Sequence, residues 1–113
     1  MYVDLKKPEK KIARQIIEKG LQKEYVKAIE KLESIIGKWK NNETDNRETY
    51  MNLYTTLMKC DKHIARRYND VGGSKYAFTI ACQLADGVIS KGDLDGFCDE
   101  TKEIILKMSG IED

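Results

Sequence analysis

Three cysteines and one histidine are the residues of this 113-residue chain whose types best suit metal chemistry. Cys60 and His63 stand three residues apart, which places both on one side of a helix. Cys82 and Cys98 would complete a Cys3His set of the kind that holds structural zinc. Structural zinc ligands usually come in close pairs, however, and Cys60 follows the apolar positions of its segment, where free cysteine acts as a small hydrophobe. We therefore predict no metal site.

The stretch ADGVISKGDLDGF, residues 85–97, looks at first like part of a calcium-binding loop. Such a loop needs oxygen ligands at positions 1, 3, 5 and 12 around a glycine at position 6. With Gly87 at the sixth position, a cysteine and a leucine occupy the first and third; with Gly96 there, lysines occupy the first and last. The stretch instead predicts a helix stop at Gly87, a buried Val88-Ile89 plug and a capped helix start.

No complete set of catalytic residues can be recognised in the sequence. His63 lies in a highly charged run, residues 62–67, and a serine or cysteine nucleophile would need a positioned base for which the sequence offers no partner. Residues 72–75, GGSK, could hold an anion at a helix start, but they lack the spacing and preceding strand of a phosphate-binding loop. We expect a turn with Ser74 as the helix cap, no enzymatic activity and no cofactor.

Basic residues recur at helical spacing in two segments. One series steps by four, and the other lines the side of a second helix opposite its apolar residues: Lys19, Lys23, Lys27 and Lys31, then Lys59, Lys62, His63 and Arg66. Both series could contact phosphates. The acidic neighbours Glu24, Glu30, Asp61 and Asp70, with a pI of about 7.6, favour solvated helix faces over a nucleic-acid interface.

The elements that carry these residues are helices. From Pro8 to Lys40, apolar residues recur at steps of three and four: Ala13, Ile17, Leu21, Tyr25, Ala28, Leu32, Ile35 and Trp39. Glycine in a helix interior costs about 1 kcal/mol relative to alanine, so Gly20 leaves open one long helix or two. We expect one long helix in which Gly20 can introduce a kink.

Later turn signals predict three further helices. Asp45 and Glu48 resemble a helix-capping pair. The predicted helices run from there to about Asp70, from Lys75 to Asp86, and from Asp99 to Met108, with a short turn around residues 93–97. The predicted core comprises Ile17, Leu32, Leu57, Ile64, Phe78, Ile80, Leu84, Ile89 and Phe97.

Length and composition also indicate the fold class of the chain. The chain is 41% hydrophobic and 35% charged with one proline, which predicts an all-α, single-domain bundle (residues 1–113) of four to five helices with a long N-terminal helix. Three cysteines, an odd number, and the absence of an apolar leader in MYVDLKKPEKK predict a cytoplasmic location without membrane association. Residues 1–85 carry seventeen basic against eleven acidic side chains, whereas residues 86–113 carry three against eight.

Two stretches, DKHIARRYNDVGGSKY (residues 61–76) and LADGVISKGDLDGF (residues 84–97), carry a resemblance. They are similar to a group of small, uncharacterised all-helical bacterial proteins with the layout "DKHIARRY…GS.Y…DGVI…DL.GF". The likeness extends over the second helix onward and to EYVKAIEKL, residues 24–32. It implies a cytoplasmic helical domain and no particular site.

The sequence has more apolar residues at helical spacing than its core needs, and this excess favours one function. Trp39, the tyrosines and the long apolar stripe offer more surface than a core of this size needs, and aromatic residues commonly anchor interfaces. We therefore predict a non-enzymatic protein-interaction module that binds another protein or itself as a homodimer. Nucleic-acid binding through the two basic series is the alternative.

Overall fold

The structure is a computed structural model that describes residues 5–111. Within that range it contains four α-helices and no strand: α1 (Lys7–Lys40), α2 (Asn46–Tyr68), α3 (Tyr76–Ala85) and α4 (Asp99–Ser109). Short 3-10 turns lie at Gly73–Lys75 and Lys91–Leu94. The predicted all-α fold with a long first helix is confirmed. No helix in the described range has the length and apolar character needed to cross a bilayer.

Helix α1 runs without interruption through Gly20. The glycine allows close approach of another side chain, because a Cβ at this position would overlap Gln83 Nε2 and lie 2.8 Å from Gln83 Cδ. Gln83 is fully buried, and its Nε2 donates to the carbonyl oxygen of Ile17 at 3.0 Å. Gly20 is therefore needed for packing against α3 rather than for an interruption of α1.

The start of α2 follows the predicted capping signal. The Asp45 carboxylate accepts a hydrogen bond from the Glu48 amide at 2.7 Å. The helix ends at Tyr68, two residues before the predicted end, and Asp70 adopts a left-handed conformation with φ 59°. The helix therefore ends before Gly72 and Gly73, and Asp70 rather than either glycine adopts the left-handed conformation.

The predicted cap at Ser74 is wrong. Ser74 lies inside the 3-10 turn that leads directly into α3, and no side chain caps that helix. Instead, the Lys75 amide just before α3 donates to the Gly72 carbonyl at 2.9 Å, so a backbone oxygen of the turn accepts this hydrogen bond. A cap residue must precede its helix in an extended conformation, which a residue within a helical turn does not have.

The described chain forms two compact units. The first, here called the core unit, combines residues 5–22 with residues 70–111; the second, the hairpin unit, comprises residues 23–69. Helix α1 contributes residues to both units, whereas α2 lies in the hairpin unit and α3 and α4 lie in the core unit.

All buried hydrophobic side chains of the described range belong to the core unit: Leu5, Ala13, Ile16, Ala77, Ile80, Ala81, Leu84, Val88, Ile89, Leu94, Phe97 and Ile105. Helix α3 supplies four of them at spacing i, i+3, i+4 and i+7, the positions of one helix face. Phe78 lies outside that face and is 48% exposed, so its predicted core position is wrong. The predicted burial of Ile80, Leu84, Ile89 and Phe97 is confirmed.

Residues 85–97 form the predicted structural loop. Gly87 is left-handed with φ 71°, and Val88 and Ile89 are buried. Ser90 then begins the next turn, its amide donating to Asp93 Oδ2 at 2.8 Å. The Asp93 carboxylate also binds Lys19 Nζ at 2.5 Å. The Lys19 ammonium and the Ser90 amide hold the pKa of Asp93 below its ordinary value.

Candidate functional site: the apolar face of the hairpin unit

The hairpin unit consists of two antiparallel helices, the second part of α1 and the whole of α2. Glu24 contacts three residues near the end of α2: His63, Arg67 and Tyr68. Trp39, near the end of α1, contacts Asn46 at the beginning of α2. Partner positions thus move back along α2 as they advance along α1, which is the pairing of an antiparallel helical hairpin.

Glu24 holds the open end of this hairpin together. The carboxylate is 7% exposed, and its Oε1 lies 2.7 Å from His63 Nε2 and accepts from Arg67 Nη1 at 3.1 Å. Tyr68 donates its hydroxyl proton to the other oxygen. A buried carboxylate requires such partners because its unpaired desolvation would be costly. His63, predicted as a partner-contact residue, therefore has a structural role in this cluster.

The closed end of the hairpin is fixed by polar contacts around the turn. Trp39 Nε1 donates to Asn46 Oδ1 at 2.8 Å. The Thr49 hydroxyl donates to the Asp45 carbonyl at 2.7 Å and lies 2.8 Å from the hydroxyl of Thr44. The bond to Asn46 orients the indole ring of Trp39, which stays 43% exposed.

Hydrophobic burial is incomplete in the hairpin unit, whose residues 23–69 the structure describes throughout. The only residues that it buries are polar, Glu24 and Thr49. Ten of its large apolar side chains are between 37% and 71% exposed: Tyr25, Val26, Ile29, Ile36, Trp39, Tyr50, Met51, Tyr54, Leu57 and Met58. Leu32 and Ile64, which were predicted to lie in the core, are half-buried. The predicted core position of Leu57 is wrong, because this residue is 51% exposed.

Nine apolar side chains of the hairpin share one surface, here called the apolar face. Six of them line a single shallow groove between the helices: Leu32, Ile36, Tyr50, Leu53, Tyr54 and Leu57. Tyr25 and Ile29 continue the row on α1, since they precede Leu32 and Ile36 by seven residues. Trp39 extends the face at the closed end, where it lines an adjoining groove with Ile36 and Tyr50. Neither groove is lined by a charged residue.

The structure divides the predicted basic contacts between the two units. Lys19 lies in the core unit, where it pairs with Asp93. The other Lys and Arg positions of the two series lie exposed on the hairpin unit: Lys23, Lys27, Lys31, Lys59, Lys62 and Arg66. None of these lines a groove of the apolar face, whereas the predicted contact residue Trp39 does.

The cysteines considered as zinc ligands belong to different units. Cys60 is half-buried in the hairpin unit, and Cys82 and Cys98 lie in the core unit. Over residues 5–111, no three His, Cys, Asp or Glu side chains are grouped so that they could hold a metal ion.

Glu9 is a buried carboxylate that the sequence did not single out. It accepts hydrogen bonds from the Cys98 amide at 3.1 Å and from the Thr101 hydroxyl at 3.0 Å. Burial disfavours its charged form, but these bonds outweigh that effect and hold the pKa of Glu9 below its ordinary value. These two bonds attach the start of α4 to α1, and a negative charge is favourable beside a helix N-terminus.

Comparison of the chain with protein families, curated proteins and solved structures finds no match. The resemblance carried by residues 61–76 and 84–97 therefore stays a prediction. The geometry of the apolar face is the observation from which a function can be argued.

Proposed function

We propose that this chain is a non-enzymatic protein-interaction module that binds its partner through the apolar face. The observation that carries the proposal is the exposure of Tyr50, Tyr54 and Leu57, at 71%, 57% and 51%, on one uncharged groove. Contiguous exposed apolar surface of this kind typically marks an interaction site. Tyrosines suit the purpose because they bury a large area at a small loss of conformational entropy.

The area of the face supports a specific interface. Apart from Trp39, six of its side chains are more than one third exposed, and each presents on the order of 100 Å² to solvent. Together they offer roughly 600 Å², worth about 15 kcal/mol of gross transfer free energy at about 25 cal/mol per Å². Association and side-chain ordering cost a large part of that gain, so the surplus is compatible with a micromolar interaction.

The shape of the face indicates the chemistry of the partner. Two antiparallel helices present ridges and a groove, and a second helical surface fits such relief by packing its own ridges into the groove. The absence of charged residues from the grooves favours an aliphatic or aromatic partner surface. The proposed partner is therefore an apolar helical surface of a protein.

The same proposal includes the cellular compartment and the source of the module. An odd number of cysteines supports a reducing cytoplasmic compartment, and the resemblance of residues 61–76 and 84–97 supports a bacterial source.

The proposal requires that the apolar face lie on the surface of the separate chain. Two leucines provide a matched test, because Leu57 is 51% exposed whereas Leu94 is fully buried. In dilute solution we expect Leu57→Ala to lower the free energy of unfolding by at most about 1 kcal/mol, and Leu94→Ala to lower it by about 2–5 kcal/mol. Equal losses would mean that the face is internal core, and the proposal would fail.

Nucleic-acid binding is the second candidate function. It is supported by the exposure of six Lys/Arg side chains of the two basic series on the hairpin unit: Lys23, Lys27, Lys31, Lys59, Lys62 and Arg66. Two contacts weaken it, since Lys19 is neutralised by Asp93 and His63 is engaged by Glu24. The hairpin unit carries ten Lys/Arg against seven Asp/Glu, a small excess compared with typical nucleic-acid-binding modules.

A further inference from the structure

We infer that the occupant of the apolar face is a second copy of this chain, so that two hairpin units pack face to face as a four-helix bundle. This inference rests on the proposed function and names its partner. A lone pair of helices gives each helix one neighbour, and Leu32 and Leu53 at the seam stay half-buried. In a four-helix bundle each helix has two neighbours around a shared apolar centre, which covers both faces at once.

The area of the face agrees with what a dimer needs. The roughly 600 Å² that one copy offers becomes about 1,200 Å² when two identical faces meet. Stable protein interfaces bury about 1,200–2,000 Å² in total, so self-pairing reaches this range without further surface. Trp39, at the end of the face, adds an aromatic anchor from each copy.

The charges around the face favour an identical partner. Its grooves contain no charged side chain, so two copies meet without like-charge repulsion at the centre. Arg47 and Asp61, both exposed, lie seven residues before and after Tyr54, and a seven-residue step returns to nearly the same side of a helix. A two-fold axis near Tyr54 that reverses α2 brings Arg47 of each copy opposite Asp61 of the other.

Sedimentation equilibrium of the whole chain tests the inference, over total concentrations from about 1 µM to about 1 mM. We expect the native chain to pass from 13.0 kDa to twice that mass. Leu57→Glu places a charge at the centre of the face and should raise the dissociation constant at least about 100-fold. Lys62→Glu changes an exposed residue outside the grooves and should leave dimerisation within about threefold of native. Circular dichroism establishes that both variants stay helical.

Charge reversal tests the antiparallel pairing. Asp61→Arg and Arg47→Asp should each weaken the dimer about 5-fold to 10-fold, and the double variant should return to near-native affinity. A double variant no tighter than the single ones overturns this pairing.

The remaining outcomes separate the inference from the proposed function. A native chain that stays monomeric at every concentration overturns the homodimer; the proposed function survives if Leu57→Ala is still much less costly than Leu94→Ala. A dimer that Leu57→Glu leaves intact uses another surface and also overturns the inference. Equal stability losses in the two leucine variants instead defeat the proposed function itself.

Discussion

Replacing Gly20 with alanine sets two effects of one methyl group against each other. Gly20 lies inside the uninterrupted helix α1, where alanine is favoured over glycine by about 1 kcal/mol. The added Cβ would also overlap Gln83 Nε2, and would lie 2.8 Å from Gln83 Cδ and 3.3 Å from Val88 Cγ1. Helix propensity therefore predicts stabilisation, and packing predicts the opposite.

The packing cost is the larger of the two. Forcing an extra methyl group into a close-packed region costs about 1–3 kcal/mol. Gln83 is fully buried, so it can make room only by giving up the 3.0 Å hydrogen bond to the Ile17 carbonyl, which adds about 1–3 kcal/mol. After subtraction of the propensity gain, we expect Gly20→Ala to lower the free energy of unfolding by about 1–5 kcal/mol.

Urea unfolding followed by far-ultraviolet circular dichroism measures this change, with Gly37→Ala as the matched control. Gly37 lies in the same helix, and a Cβ there would meet no atom within 4 Å. That control should be more stable than native by about 0.5–1 kcal/mol. In a Gln83→Ala background the penalty of Gly20→Ala should largely disappear. If Gly20→Ala is as stabilising as Gly37→Ala, the packing argument is refuted.

Three further predictions concern charged groups. Because the pKa of the buried Glu9 carboxyl is lowered in the folded chain, its contribution to stability is present above its ordinary value of 4.5 and lost as the pH falls below it. Urea unfolding across acidic pH should show that Glu9→Gln reduces this dependence, and an unchanged slope would contradict the assignment. Glu24→Gln should lower the free energy of unfolding by about 2 kcal/mol, because three hydrogen bonds lose a charged acceptor; a loss below about 0.5 kcal/mol would disprove the role of Glu24 at the hairpin end. For the nucleic-acid alternative, duplex and single-strand affinity should fall with salt at a logarithmic slope of about −0.9 per phosphate contact on duplex DNA. The slope should be smaller in Lys62→Glu/Arg66→Glu, and no binding at about 50 mM salt would remove this alternative.

Local signals made most of the fold predictable from the sequence. Asp45 caps α2 and Gly87 ends the turn after α3, and each acts through atoms within a few residues along the chain. The apolar spacing from Ala13 to Trp39 likewise favoured a long helix for α1, although it left open whether the helix continues through Gly20. Helix starts and stops of this kind need no knowledge of distant parts of the chain.

The apolar stripe of α1 did not show which of its residues are covered. Ala13 is fully buried in the core unit, whereas Tyr25 and Trp39, on the same stripe, are 42% and 43% exposed. Periodicity identifies the apolar side of a helix, but burial depends on whether another element packs against that side. Leu57 was placed in the core for the same reason. The excess of apolar surface over core was the signal in the sequence that pointed to the apolar face.

Contacts between distant residues lay beyond any local pattern. Glu9 and Cys98 are separated by 89 positions, and Glu24 and His63 by 39. A charged residue in an amphipathic helix usually lies in solvent, so nothing in the neighbourhood of Glu9 or Glu24 marked either as buried. The close approach of Gln83 to Gly20 is equally non-local, which is why the glycine could be interpreted from sequence as a kink.

The fluorescence of Trp39, the single tryptophan of the chain, tests most directly whether a second copy covers the apolar face. Its indole is 43% exposed and lines the groove at the closed end of the hairpin. Acrylamide quenching of this fluorescence should weaken severalfold as the protein concentration rises from about 1 µM to about 1 mM, because the second copy then shields the ring. Leu57→Glu should show strong quenching throughout. Equal quenching of the native chain at both concentrations would contradict the account.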